Sequence, residues 1–177
     1  MSIEVIKRET VYRGRAFNVR RDEVRFHNQN TAYLDIIEHV GAVTILPLDA
    51  DGRILFIHQY RHAAGKELLE LPAGTIDAGE QPENCALREI REETGFAAGK
   101  MVRIGEFFIA PGYSTEFMVV YLATELHPDP LPGDADEFIT LEPIPFEQAY
   151  AMALNGKLQD GKSLAALLLA RPLIYKS

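Results

Sequence analysis

Between Gly74 and Phe96 the chain crowds Glu89, Glu92 and Glu93 together, flanks them with Arg88 and Arg91, and stops at Gly95. On a helix each residue advances about 100°, so Glu93 lies about 40° from Glu89, and Glu92 about 60° to its other side. The three acids then share one arc, while Ala86, Leu87 and Ile90 form an apolar one. Without a cation, each exposed like-charge pair at this spacing costs about a few tenths of a kcal/mol, and recessed pairs cost more. A hard divalent ion removes that penalty, because Mg²⁺ and Mn²⁺ take oxygen ligands and keep positions for phosphate oxygens and water. Two such ions roughly 3.5–4 Å apart would clamp a phosphoanhydride and activate a water for attack. Arg88, four residues before Glu92, can hold it by an ion pair. A solvated charged helix face would use the same residue types, and composition alone leaves both readings open.

The elements that must position these acids are partly legible. Gln81 can start the helix, Pro82 suits its first turn, and Gly95 fits the position just past its end. The first sixty residues read as strands. In "RAFNVRRDEVRF" Phe17 and Val19 share one parity and Val24 and Phe26 the other, which predicts a bulge or strong twist. "HNQN" and "DADG" are turns, "GAVTILPL" is a strand of the buried kind, and "RILFIHQYR" sets Ile54, Phe56 and His58 against Leu55, Ile57 and Gln59. Strands return at "MVRIGEFFIA" and "EFMVVYLATEL", joined by "PGYST"; a proline- and acid-rich loop precedes one more short strand. Two helices follow, one ended by Gly156 and one ended before Pro172. A boundary near residue 40 would divide residues 1–40, an N-terminal strand set, from a mixed α/β domain over 41–177.

The 177 residues suit one main domain with a real core, and 47% hydrophobic with 25% charged residues is globular composition. A net charge of −8 argues against binding duplex nucleic acid, which needs basic patches. The N-terminal "MSIEVIKRET" has neither the apolar core nor the cleavage signature of a signal peptide, and the longest apolar run, "LAALLLA", is too short to span a bilayer. The single Cys85 excludes an internal disulfide and fits a reducing cytosol, so a cytoplasmic protein without a membrane role is expected. Cys85 suits a buried inert thiol better than a nucleophile.

Gly74, five residues, Glu80, seven residues, then Arg88-Glu89-Ile90-x-Glu92-Glu93-x-Gly95-Phe96 resembles the Nudix hydrolase signature at every fixed position. The resemblance implies an α/β (α+β) fold, an α/β/α sandwich with a mixed sheet, here with an added N-terminal antiparallel strand set. It implies metal-assisted attack of water on a nucleoside diphosphate linked to another moiety. By position, Glu89 and Glu93 resemble the principal metal ligands, Glu92 completes the cluster, and the backbone carbonyl of Ala73 resembles a main-chain ligand. The bound ion would be Mg²⁺ or Mn²⁺. Glu80 looks like a loop-ordering residue, and Arg88 like one that orients the glutamates.

Outside this segment, "EHVGAV", "QYRHAAGKELLELPAG" and "APGYSTE" resemble the ADP-ribose pyrophosphatase branch, including Pro111 sixteen residues beyond Gly95. That branch implies hydrolysis of ADP-ribose to AMP and ribose 5-phosphate by a homodimer with exchanged N-terminal strands. It implies Arg61 on the diphosphate, a role that suits a guanidinium; a strand-end ion pair is the structural alternative. It implies Glu116 near the ribose phosphate, against a plain exposed charge, and Pro111 with Gly112 in a tight loop near the ligand, against an ordinary turn. Phe17 could stack on adenine or belong to the core. The proton acceptor for the attacking water would be Glu137, in "GDADEFIT", with Asp136 and Asp134 as rivals, the solvated loop as the alternative, and Glu92 as the other candidate base. The chain lacks tryptophan, which some relatives use around adenine. GDP-mannose is therefore a rival substrate, and a catalytically idle nucleotide sensor a rival of another class.

Overall fold

The computed structural model describes residues 3–133 and 137–175, and the chain divides into two units. One comprises the chain up to Gly41 with Phe107–Phe117; the other comprises Ala42–Glu106 with the chain from Met118 onward.

In the first unit, β1 (Glu4–Arg13), β2 (Asn18–Arg25) and β3 (Thr31–Glu38) form an antiparallel sheet in that order. The "HNQN" turn closes through Phe26 N–H to Asn30 O and Gln29 N–H to Phe26 O, with Gln29 in the left-handed region at φ 67°. β2 pairs β3 without a break from Asn18 opposite Glu38 to Arg25 opposite Thr31. The irregularity expected in β2 lies on β1 instead, where Ile6 and Val11 are the extra residues. Phe17 and Phe26 flank β2 rather than belong to it, so turns, and not the pleat, set where they point. Charge ties the strands together: Arg21 donates two bonds to Asp35, at 2.7 and 3.1 Å, and Arg20 bridges Asp22 and Glu38. Every residue of β1 is exposed. The loop at 110–116 is stitched to the end of β3, with Ile37 N–H on Tyr113 O and Thr115 N–H on Ile37 O.

The second unit holds two sheets and, among the described residues, three α-helices. The first sheet has the order β7 (Ala73–Thr75), β4 (Ala42–Pro47), β9 (Phe117–Pro128), β8 (Phe96–Phe108). It is mixed: β4 runs parallel to β9 and antiparallel to β7. All six residues of β4 are buried, and α1 (Pro82–Thr94) and α3 (Gly161–Ile174) both pack on it, which is why "AVTILP" is apolar at both parities. The second sheet, β10 (Ile139–Pro145), β5 (Arg53–Arg61) and β6 (Lys66–Glu70), is antiparallel. β5 is buried on both parities from Ile54 to Ile57, so its apolar stretch does not alternate. Val43, Ile45, Phe56, Ile90, Val120 and Leu167, all fully buried, make up much of the core.

β6 and β7 have no counterpart in the sequence reading. β6 is short and charged, and the chain enters it through a single 3₁₀ turn and Gly65 at φ 66°. Helix α1 matches its predicted ends: Gln81 is extended, Pro82 opens the helix, and Gly95 at φ 78° donates its N–H to Arg91 O. Helix α2 (Phe146–Leu154) gives way to Gly156 at φ 77°. Helix α3 does not end before Pro172; it continues to Ile174, and Tyr175 N–H still reaches Arg171 O. Pro172 lacks the N–H that would meet Leu168 O, but it lies in the last turn beside the exposed Leu168, where losing one bond is cheapest. No helix among the described residues is long and apolar enough to cross a membrane.

Candidate active site

The short strand β7 brings Gly74 under helix α1. A Cβ built on Gly74 would overlap the carboxyl group of Glu89, so any side chain at 74 would displace that acid. One residue earlier, Ala73 donates its N–H to Glu93 Oε2 at 2.9 Å. Glu89 and Glu93 are each only 9% exposed. Burial pushes Glu93 up to about 8, with Glu89 and Glu137 adding to the rise while the Ala73 N–H and Lys162 oppose it. Burial likewise pushes Glu89 up to about 7, against the opposing pull of Arg88.

Arg88 organises the acids. Its Nη1 donates to Glu89 Oε1 at 2.7 Å and to Glu92 Oε2 at 2.8 Å. Nε and Nη2 reach the two oxygens of Glu80 at 3.2 and 3.1 Å. Glu80 in turn accepts from Asp77 N–H, fixing the loop before α1. The hydrogen bond to Glu80 heads the interactions that raise the guanidinium's pKa, so Arg88 stays charged. Cys85 lies buried below, its thiol pushed up to about 12 chiefly by burial, which makes it inert.

Arg61 ends β5 and is committed to the buried Glu70: Nε and Nη2 donate to the two carboxylate oxygens, each at 2.8 Å. Glu70 also pairs with Lys162, which lies 3.1 Å from Asp160. Asp160 caps α3 by accepting from Ser163 N–H, and Ser163 Oγ accepts from Leu71 N–H. Burial raises Glu70, but Arg61 and Lys162 outweigh it and hold the carboxyl below its usual range. The ion-pair alternative for Arg61 is thus present, with a buried partner. Glu137 accepts from Gln59 Nε2 at 3.1 Å, and its charge acts on both Glu89 and Glu93.

Glu80, Arg88, Glu89, Glu92, Glu93, Ala73, Arg61 and Glu137 therefore all belong to the second unit. Pro111, Gly112, Glu116 and Phe17 belong to the first. There Phe17 is 40% exposed beside Tyr12, outside any core. Pro111 and Gly112 are exposed, and a Cβ at Gly112 would meet nothing, so packing does not demand glycine. Glu116 is half-buried, its N–H on Ser114 Oγ. Asp134 and Asp136 lie outside the described residues. Glu70, Lys162 and Gln59 were missed from sequence. Gln59 alone had a signal, a polar residue at the parity of Leu55 and Ile57.

The donor set is all oxygen and suits a hard divalent cation. Among the described residues no three His, Cys, Asp or Glu side chains converge as a ready ligand set, because Arg88 and the Ala73 N–H hold the carboxylates. The residues nevertheless fit such an ion: two buried glutamates, both shifted towards neutrality, lie one turn apart on α1, and Gly74 leaves space that Glu89 fills.

Residues 38–167 match the NUDIX domain. The chain is similar to an ADP-ribose pyrophosphatase of Mycobacterium tuberculosis, 38% identical over 170 residues covering 93% of this chain and 81% of the relative. It is similar to a GDP-mannose pyrophosphatase of Yersinia pestis, 36% identical over 142 residues covering 74% of this chain and 70% of the relative. Among solved structures, one described as an ADP compounds hydrolase superposes with a TM-score of 0.89 at 26% identity, covering 98% of this chain and 95% of that one. With its signature helix, its mixed sheet and a domain match over most of its length, the chain belongs to the Nudix family of hydrolases.

Proposed function

We propose that the protein hydrolyses the diphosphate of ADP-ribose, giving AMP and ribose 5-phosphate. The observation that carries this reading is the cluster of Glu89, Glu92 and Glu93 around Arg88, two of its acids buried and short of compensating charge. The substrate is supported by the similarity to an ADP-ribose pyrophosphatase over 93% of this chain, against 74% for the GDP-mannose relative. GDP-mannose is the second reading, favoured by 36% identity to that relative.

Glu89, Glu92, Glu93 and the carbonyl of Ala73 would hold Mg²⁺ or Mn²⁺. When bound, such ions offset the diphosphate charge and acidify water. Arg88 keeps the three glutamates in a common orientation, and Gly74 gives Glu89 its place. The attacking water loses a proton to Glu137; its oxygen bonds to one phosphorus, and the bridging P–O bond breaks to release two phosphate monoesters. Glu92 is the alternative proton acceptor. Arg61, held by Glu70, supplies positive charge for the diphosphate. Phe17, Glu116, Pro111 and Gly112 would serve the adenine and ribose ends. A homodimer with exchanged N-terminal strands fits a β1 that, among the described residues, pairs with β2 alone and is exposed throughout.

Incubation with ADP-ribose and Mg²⁺, followed by separation of products, tests this reading. AMP and ribose 5-phosphate in equal amounts, abolished by a chelator and restored by added metal, are expected. Nucleotide binding without turnover would instead favour a sensor.

A further inference from the structure

Glu137 does not depend on its loop alone for its position. The side-chain amide of Gln59 donates to Glu137 Oε1 at 3.1 Å. Gln59 lies on β5, the middle strand of its sheet, in register with Leu68 on one flank and Ile139 on the other. Its backbone is fixed from both sides, whereas Glu137 precedes Ile139, the first residue of β10, by two positions. Gln59 is only 7% exposed. A carboxylate can only accept, so the bond to Glu137 determines which way the amide faces. Its Oε1 is consequently turned away from Glu137, buried, and without a donor among the described residues. Core packing does not call for such a group: Leu55 and Ile57, at the same parity of β5, are buried and apolar.

We propose that Gln59 is the positioning residue of Glu137, its buried amide fixing the carboxylate through the 3.1 Å hydrogen bond from Nε2. The proposal rests on the reading of Glu137 as the group that receives the water's proton. A glutamate at a strand entrance samples several rotamers, and small misplacements of a reacting group cost large factors in rate. A neutral amide removes that freedom without an adjacent positive charge, which would make Glu137 a weaker base. The other end of the amide remains an acceptor for an O–H group that enters with the substrate.

The test is a double-mutant cycle in the full chain, with ADP-ribose and Mg²⁺, reading kcat, KM and the thermal midpoint. Gln59→Met keeps the chain length and removes the donor; Gln59→Glu keeps the shape and sets a second carboxylate against Glu137. Each should lower kcat by about 10-fold or more while KM moves by less than about threefold. In a Glu137→Gln background, Gln59→Met should cost almost nothing further. An equal loss in both backgrounds, with a lowered midpoint, would show that Gln59 acts through the fold, and would overturn the proposal. Glu137→Gln alone separates the two ways to fail. If it keeps wild-type kcat, the proton-acceptor reading is wrong and Gln59 has nothing to position. If it loses kcat while both Gln59 variants keep theirs, Glu137 stands and the role of Gln59 falls.

Discussion

The carboxyl group of Glu89 occupies the space that a side chain on Gly74 would need. The contact joins strand β7 to helix α1 and explains in steric terms why a glycine opens the signature fifteen residues before its first clustered acid. Gly74→Ala should displace Glu89, because the added Cβ falls on its carboxyl group and that group must move away from Arg88 and the rest of the cluster. A loss of about 100-fold or more in kcat is expected, with about 1–3 kcal/mol of stability. Kinetics and denaturant melts of the variant measure both, and near-normal activity would show that Glu89 is not held as described.

Glu93 is expected to separate activity from stability. Glu93→Gln keeps the shape and an acceptor for the Ala73 N–H while removing a buried negative charge. Turnover should be abolished in a protein that melts no lower than the wild type without metal. Full activity in this variant would sink the assignment of the glutamate cluster as the metal site.

The two raised carboxyls also set a pH dependence whose sign is fixed. Glu89 at about 7 and Glu93 at about 8 stand above the ordinary 4.5, so the folded state binds more protons than the unfolded state between these values. The stability they contribute is complete below about pH 4.5 and is lost as pH rises through about 7 to 8. In chelator, the thermal midpoint should therefore fall over this window. It should fall less in Glu93→Gln, and saturating Mg²⁺, which favours the ionised carboxylates, should oppose the decline. Scanning fluorimetry across the window checks this, and a midpoint that climbs with pH in chelator would contradict it.

Glu70 is 1% exposed and faces two cations, Arg61 and Lys162. Glu70→Ala removes the anion shared by the largely buried Lys162, which keeps Asp160 as a partner, and by Arg61, whose side chain is 40% exposed and partly screened by solvent, at an expected cost of about 1–3 kcal/mol. Glu70→Gln should cost less and leave Arg61 loosely held, raising KM for the diphosphate more than it lowers kcat. A pure kcat effect would place Arg61 in the chemical step instead.

How much of this was legible in the sequence follows from distance along the chain. Helix α1 was legible because its ends are local: Gln81, Pro82 and Gly95 each act on neighbouring backbone. The buried β4 was legible because a run of six residues that is apolar but for Thr44 needs two covered faces. β6 was not, since three of the five residues of Lys66–Glu70 are charged and its strand character comes from pairing with β5. Pro172 misled because a proline's cost depends on its place in the helix, and α3 tolerates it in the last turn. Within the site, the pairing of Arg88 with Glu92 could be read from i,i+4 spacing. The grip of Lys162 on Glu70 spans 92 residues and that of Gln59 on Glu137 spans 78, separations over which a single sequence carries no signal.

Steady-state kinetics on ADP-ribose and GDP-mannose side by side, with Mg²⁺ and product identification, decide whether the glutamate cluster serves ADP-ribose. AMP and ribose 5-phosphate are expected from ADP-ribose at a kcat/KM about 100-fold or more above that for GDP-mannose. A preference for GDP-mannose, or turnover of ADP-ribose that survives both chelation and Glu93→Gln, would contradict that assignment.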